Sequence, residues 1–169
     1  MSTPARRRAV VLLSGGLDSA TVLFIARARG YECHAIAFDY GQRHRRELAA
    51  ARAIARRAGA RLRVVSFRLG HRNSSLLDRA RPIPARRSGR GRAVPSTYVP
   101  GRNLIFLSFA VSLAEAIGAR AIFIGATAVD FSGYPDCRPA FYDAFERVIR
   151  RGTVAGAREG AMMGIPSMA

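Results

Sequence analysis

The string Ser14-Gly15-Gly16-Leu17-Asp18-Ser19 constrains this chain more than any other feature. It succeeds the short apolar run Ala9 to Leu13 (AVVLL) and opens a stretch, Leu17 to Arg29, whose apolar residues recur at helical spacing. A β-branched apolar run, a glycine pair and a helical period together spell strand, tight turn, helix. In parallel α/β sheets that turn lies where ligands bind, beyond the carboxyl ends of the strands. Two glycines let successive N–H groups point inward as an anion nest, Ser14 and Ser19 add hydroxyl donors, and the helix N-terminus adds a positive dipole. Pyrophosphate is the natural guest. Asp18 would repel it unless it binds Mg²⁺ or caps the helix, and both roles are expected of it.

Strand and helix signals alternate along most of the remaining chain. Glu32 to Phe38 reads as a buried strand, Glu47 to Ala58 as an amphipathic helix, and Arg61 to Phe67 as a third strand. This alternation predicts an α/β fold: a parallel twisted sheet, Rossmann-like, with helices on both faces. Residues 70 to 93 break the pattern with prolines and the arginines 86 to 92, and the lid or linker they form extends to about residue 98. Structureless stretches of that length are uncommon in compact domains unless functional, so a solvated linker and an anion-steering lid both stand. Arg102 to Ile117 reads as an apolar helix buried nearly all round, Ala121 to Ile124 as a fourth strand, residues 127 to 139 as a loop and Phe141 to Arg150 as a helix. Residues 151 to 169 show no period, so the domain is placed at residues 1 to 150 with an atypical tail behind it.

At 169 residues and 49% apolar, the chain can bury a core. No apolar run reaches the roughly 18 residues of a membrane span, and Met1 to Arg8 lacks a secretory signal, so a cytoplasmic location is expected. Cys33 and Cys137 are too few for a disulfide framework and form no C-x-x-C pair. The charge is lopsided: 28 basic residues against 11 acidic give +17, and every basic residue is arginine. Such a charge favours polyanions, yet arginine and alanine without lysine is also what a biased genome writes at neutral surface positions. Without lysine, a Walker A loop is excluded.

At Ser14 to Ser19 the chain resembles the PP-loop ATP pyrophosphatases, which transfer AMP from ATP. Three further strings narrow the resemblance: Phe38-Asp39-Tyr40-Gly41-Gln42-Arg43-His44 with Glu47, then Val99-Pro100-Gly101-Arg102-Asn103, then Asp130 to Arg138 (DFSGYPDCR). In that order they look like the 7-cyano-7-deazaguanine synthases of queuosine and 7-deazapurine biosynthesis, over Ala9 to about Arg150. The resemblance implies ATP-dependent conversion of 7-carboxy-7-deazaguanine and ammonia to the nitrile through adenylated carboxylate and amide intermediates. A tRNA-base-modifying PP-loop enzyme and an inactive nucleotide-binding fragment are the rival readings. A nucleic-acid substrate is not expected, because a macromolecular substrate would not require DFSGYPDCR.

On that resemblance, Leu13, Ser14, Gly15, Gly16, Leu17, Asp18, Ser19, Ala20 and Thr21 form the ATP site, Asp18 organises Mg²⁺, and Asp18, Ser19 and Arg102 carry the chemistry. Asp39 reaches Mg²⁺ or ribose, or merely caps its strand. Arg102, at a helix entry, suits phosphate or the substrate carboxylate. Asp130 and Asp136 accept N–H bonds from the guanine-like edge of the base while Tyr134 stacks on its face, or they form Asx-turns; Arg138 completes the substrate loop. Cys137 is expected to be a pocket wall, and His44 and Glu47, at i, i+3 spacing, to cap and pair. The family's further strand, its phosphate-binding lysine and its four-cysteine zinc site have no counterpart here, so zinc is not expected. The chain is therefore read as a C-terminally truncated form, poorly soluble or self-associating.

Overall fold

The computed structural model describes residues 7–41, 45–69, 74, 76–78, 96–126 and 134–157. Asp130, His44, the arginines 86 to 92 and residues 158–169 lie outside the described residues. Four parallel strands form one sheet: β1 (Arg8–Leu12), β2 (Glu32–Asp39), β3 (Arg61–Ser66) and β4 (Ala121–Phe123), in the order β3-β2-β1-β4. Val10 of β1 lies opposite His34 on one side and Ile122 on the other. The helices are α1 (Leu17–Ala28), α2 (Arg45–Arg57), α3 (Arg102–Ile117) and α4 (Pro139–Gly152).

The two-residue period of β1 distributes its side chains between two cores. Ala9, Val11 and Leu13 pack with Leu23, Ala26, Ala51 and Ala55 of α1 and α2. Val10 and Leu12 pack on the other face with Leu107, Ala110, Tyr142, Phe145 and Ile149 of α3 and α4. Helices thus cover both faces, as the alternation predicts. The edge strand β3 presents the exposed Arg61 and Arg63, which discourage further pairing. Proline at its first turn starts α4 two residues before the expected position, where a missing N–H costs nothing.

Two expectations are corrected. Helix α3 is buried along one stripe only, Asn103, Leu107, Ala110, Leu113 and Ala114, while Leu104 is 50% and Phe109 39% exposed. Its mostly apolar sequence hides this, because the sheet offers only one face to lie on. Beyond Gly152, residues Val154–Ala157 form a short helix where no pattern was legible, and the Ala155 N–H donates to Glu115 Oε1 of α3 at 3.0 Å. Among the described residues, no helix is long and apolar enough to cross a membrane.

The order of strands positions the site. From β1 the chain steps through β2 to β3 on one side, then returns to place β4 on the other side of β1. The loops leaving β1 and β4 diverge there, opening a crevice beyond the strand ends.

Candidate active site

The loop after β1 is built by its two glycines in different ways. Gly15 has φ +93°, a left-handed conformation that favours glycine, and it lies against α2. A Cβ there would collide with the Glu47 carbonyl oxygen and stand 3.0 Å from the Ala51 nitrogen. Gly16 has φ −81° and ψ 167°, open to any residue, and a Cβ would meet only Ser14 Oγ at 3.5 Å. Gly125, beyond β4, is glycine because a Cβ would sit 2.9 Å from the Ser19 nitrogen.

The hydroxyls brace this loop. Ser19 Oγ donates to the Gly16 carbonyl at 3.0 Å and accepts the Ser14 N–H at 3.2 Å. Its single proton being engaged, the 3.0 Å contact between the two hydroxyls has Ser14 as donor. Ser14 Oγ in turn accepts the Gly16 N–H at 3.2 Å. The expected hydroxyl donors to an anion are therefore turned onto the loop itself. The expectation that Asp18 caps α1 is likewise corrected: the N-cap is Gly16, with no side-chain cap bond. Asp18 is two residues too deep, inside the first turn and exposed, where its charge meets the helix dipole without reaching a cap geometry.

Two adjoining cavities open at the crevice. The larger, about 290 Å³, is lined by Leu13, Ser14 and Ser19 on one side and by Phe38, Tyr40, Glu47, Arg102 and Phe106 around the rest. The smaller, about 170 Å³, is lined by Arg102, Asn103, Ile124, Gly125, Ala126, Tyr134 and Cys137. Arg102, Asn103, Ile124 and Gly125 line both. The larger stands at the lower end of the roughly 300–1,000 Å³ typical of small-molecule sites, and the smaller extends it. Phe38 and Phe106 stack at 4.0 Å with planes 7° apart, giving the larger cavity a flat aromatic wall.

Arg102 is the charged group common to both cavities. Burial works against its charge, but the Tyr40 hydroxyl, which hydrogen-bonds it, together with Asp136 and Cys137, outweighs that effect and raises its pKa.

The remaining expected residues divide. Tyr134 reaches the smaller cavity, its hydroxyl 2.7 Å from Thr97 Oγ1, and Cys137 is a wall residue there, as expected. Asp136 is buried, with Oδ2 accepting the Asn103 N–H at 3.0 Å. Asp39 Oδ1 accepts the Gly41 N–H at 3.4 Å, the strand-end cap of its two alternatives, and it lines neither cavity. Arg138 and Leu17 are exposed. Thr21 donates to the Leu17 carbonyl at 3.0 Å, inside α1, and Ala20 N–H closes on the Gly16 carbonyl. Tyr40, Asn103, Phe106 and Gly125 join the site without a sequence-based role. Tyr40 and Asn103 lie inside the family-like strings, but only their partners across the sheet reveal what they do.

Among the described residues, no three His, Cys, Asp or Glu side chains gather to hold a metal ion. A single carboxylate, Asp18, beside the loop still fits Mg²⁺, which keeps water and phosphate oxygens as most of its ligands.

Comparison with known proteins agrees with this geometry. The sequence pattern of the family described as "Queuosine biosynthesis protein QueC" matches residues 8–165. The chain is 54% identical over 150 residues to a 7-cyano-7-deazaguanine synthase of Ectopseudomonas mendocina, covering 89% of this chain and 66% of that protein. It is 48% identical over 157 residues to that of Nitrosomonas eutropha, covering 93% and 69%. For Alcanivorax borkumensis the identity is 54% over 159 residues, covering 94% and 71%. The chain thus spans about two thirds of the length of these curated relatives. A solved structure described as a "predicted subunit of tRNA methyltransferase" from Methanocaldococcus jannaschii superposes with a TM-score of 0.55 over 95% of this chain and 67% of that one. At 15% identity it speaks for the fold alone. With its phosphate-type loop, its crevice at the strand-order reversal and half its residues shared with these synthases, the chain belongs to the QueC family of queuosine biosynthesis proteins.

Proposed function

We propose that the chain is the ATP-binding and substrate-binding part of a 7-cyano-7-deazaguanine synthase, which converts 7-carboxy-7-deazaguanine and ammonia to the nitrile at the expense of ATP. The observation that carries this reading is the 54% identity to a curated synthase over 150 residues, 89% of this chain.

A carboxylate oxygen is a poor leaving group, so the carboxylate attacks the α-phosphorus of ATP and pyrophosphate departs. Ammonia then attacks the acyl carbon, loses a proton, and AMP leaves with the former carboxylate oxygen. The resulting amide oxygen attacks the α-phosphorus of a second ATP and expels a second pyrophosphate; loss of the two remaining N–H protons and of AMP leaves the nitrile. The Ser14 to Ser19 loop, with α1 behind it uncapped by any side chain, receives the departing pyrophosphate. Arg102 offsets the negative charge that builds between carboxylate and α-phosphate. Mg²⁺ near Asp18 would neutralise the leaving pyrophosphate. Tyr134 offers a face to the deazapurine, and Asp136 ties its loop to the start of α3.

The test is pyrophosphate release from ATP by this chain with 7-carboxy-7-deazaguanine and ammonium supplied. Release that requires 7-carboxy-7-deazaguanine, and that continues beyond a single turnover only with ammonium present, is the expected result. ATP that does not bind, or release that depends instead on transfer RNA, would reject the reading.

A further inference from the structure

Asn103, to which the sequence gives no catalytic role, makes three hydrogen bonds from a buried position. It is the second residue of α3, a helix whose N-cap Gly101 (φ +64°) has no side chain with which to cap. The cap comes from 33 residues away: the buried Asp136 Oδ2 accepts the Asn103 N–H at 3.0 Å. Asn103 answers with its side chain, whose Nδ2 donates to the Asp136 carbonyl at 3.0 Å and to Cys137 Sγ at 3.2 Å. Asn103 is 7% and Asp136 8% exposed, so these bonds form away from water, where breaking one leaves a costly orphan. Together they fasten the start of α3 to the turn Pro135–Cys137.

Arg102 directly precedes Asn103 and is the charged group that both cavities share. The charge of Asp136 favours its cation, and Tyr40, just past the end of β2, hydrogen-bonds it. A long side chain that would otherwise sample many rotamers is held at the wall both cavities share.

We propose that Asn103 and Asp136 are positioning residues that aim Arg102 at the point where the substrate carboxylate meets the α-phosphate. This rests on the synthase reading. Two anions must approach one another for the first step, and a cation already oriented between them lowers that barrier without reorganising. Asp136 then acts on substrate through Arg102 and not as an acceptor for the base edge.

The test is calorimetric and needs no turnover. The full chain and its Asn103→Ala, Arg102→Gln and double variants are titrated with 7-carboxy-7-deazaguanine and, separately, with the corresponding uncharged amide. A positioning role predicts that Asn103→Ala weakens the acid by about tenfold or more while the amide stays within about twofold, and that the double variant is no weaker than Arg102→Gln alone. Asp136→Asn keeps an oxygen for the Asn103 N–H but removes the charge that favours the Arg102 cation, so it selectively weakens the acid too. It carries the same comparison if Asn103→Ala does not fold. Acid and amide falling together, or additive losses in the double variant, would overturn the proposal. A wild-type chain that binds MgATP but neither deazapurine also overturns it, whereas one that binds none of the three refutes the synthase reading beneath it.

Discussion

Gly15 and Gly16 are adjacent and chemically identical, yet their substitutions should fail in opposite ways. At Gly15 an alanine meets a left-handed backbone, φ +93°, worth roughly 1–2 kcal/mol of strain. Its Cβ also runs into the Glu47 carbonyl and stands 3.0 Å from the Ala51 nitrogen, backbone atoms of α2 that cannot rotate away. Overpacking of that kind adds about 1–3 kcal/mol. The sum, about 2–5 kcal/mol, is a large part of the roughly 5–15 kcal/mol that holds a domain folded. For a chain of this size it lowers the melting temperature by on the order of 10 °C. At Gly16 the backbone is extended and a Cβ meets only Ser14 Oγ at 3.5 Å, so Gly16→Val should stay within about 1 kcal/mol of wild type. Its side chain stands instead where an anion approaches the loop, and MgATP affinity should fall by about tenfold or more. Thermal melting followed by circular dichroism measures the first effect and calorimetry the second. If Gly15→Ala melts within about 2 °C of wild type, the loop does not press on α2 as described. If Gly16→Val destabilises as much as Gly15→Ala, or leaves MgATP binding intact, the loop is not the phosphate site.

Ser19→Ala removes the hydroxyl that accepts the Ser14 N–H and donates to the Gly16 carbonyl, and should cost about 1–3 kcal/mol in a melting experiment; no change would mean the bracing bonds are dispensable. Burial pushes the Cys33 thiol up to about 11 despite the opposing charge of Arg27. An unfolded thiol near 9.0 begins to ionise while the folded one keeps its proton, so this contribution to stability is complete below pH 9 and is lost as pH rises through 11. Melting temperatures should accordingly fall over that window less steeply in Cys33→Ala than in wild type; parallel curves would contradict the assignment. Leu107→Ala empties a fully buried position between α3 and the sheet and should cost about 2–5 kcal/mol, whereas Leu104→Ala on the exposed side should lie within about 0.5 kcal/mol of wild type; equal effects would show that α3 buries both faces.

Local patterning determined much of this molecule. The alternating strand and helix periods, the glycine pair after AVVLL and the strings around Asp39, Arg102 and Tyr134 specify a parallel sheet with a phosphate-type turn and the family. Each signal is carried by residues that neighbour one another along the chain or along one face of an element. What depended on contacts between distant segments was decided only in three dimensions. That Gly15 faces α2 while Gly16 faces solvent, that Asp136 caps a helix 33 residues before it through Asn103, and that α3 buries one stripe of an apolar surface all result from how the sheet order β3-β2-β1-β4 stacks the pieces. A hydrogen bond between segments leaves no period in either segment. The turn and the strings that surround the crevice were therefore legible in the sequence, whereas the place of Tyr40, Phe106 and Gly125 in its walls, and of Arg102 at both cavities, required the fold.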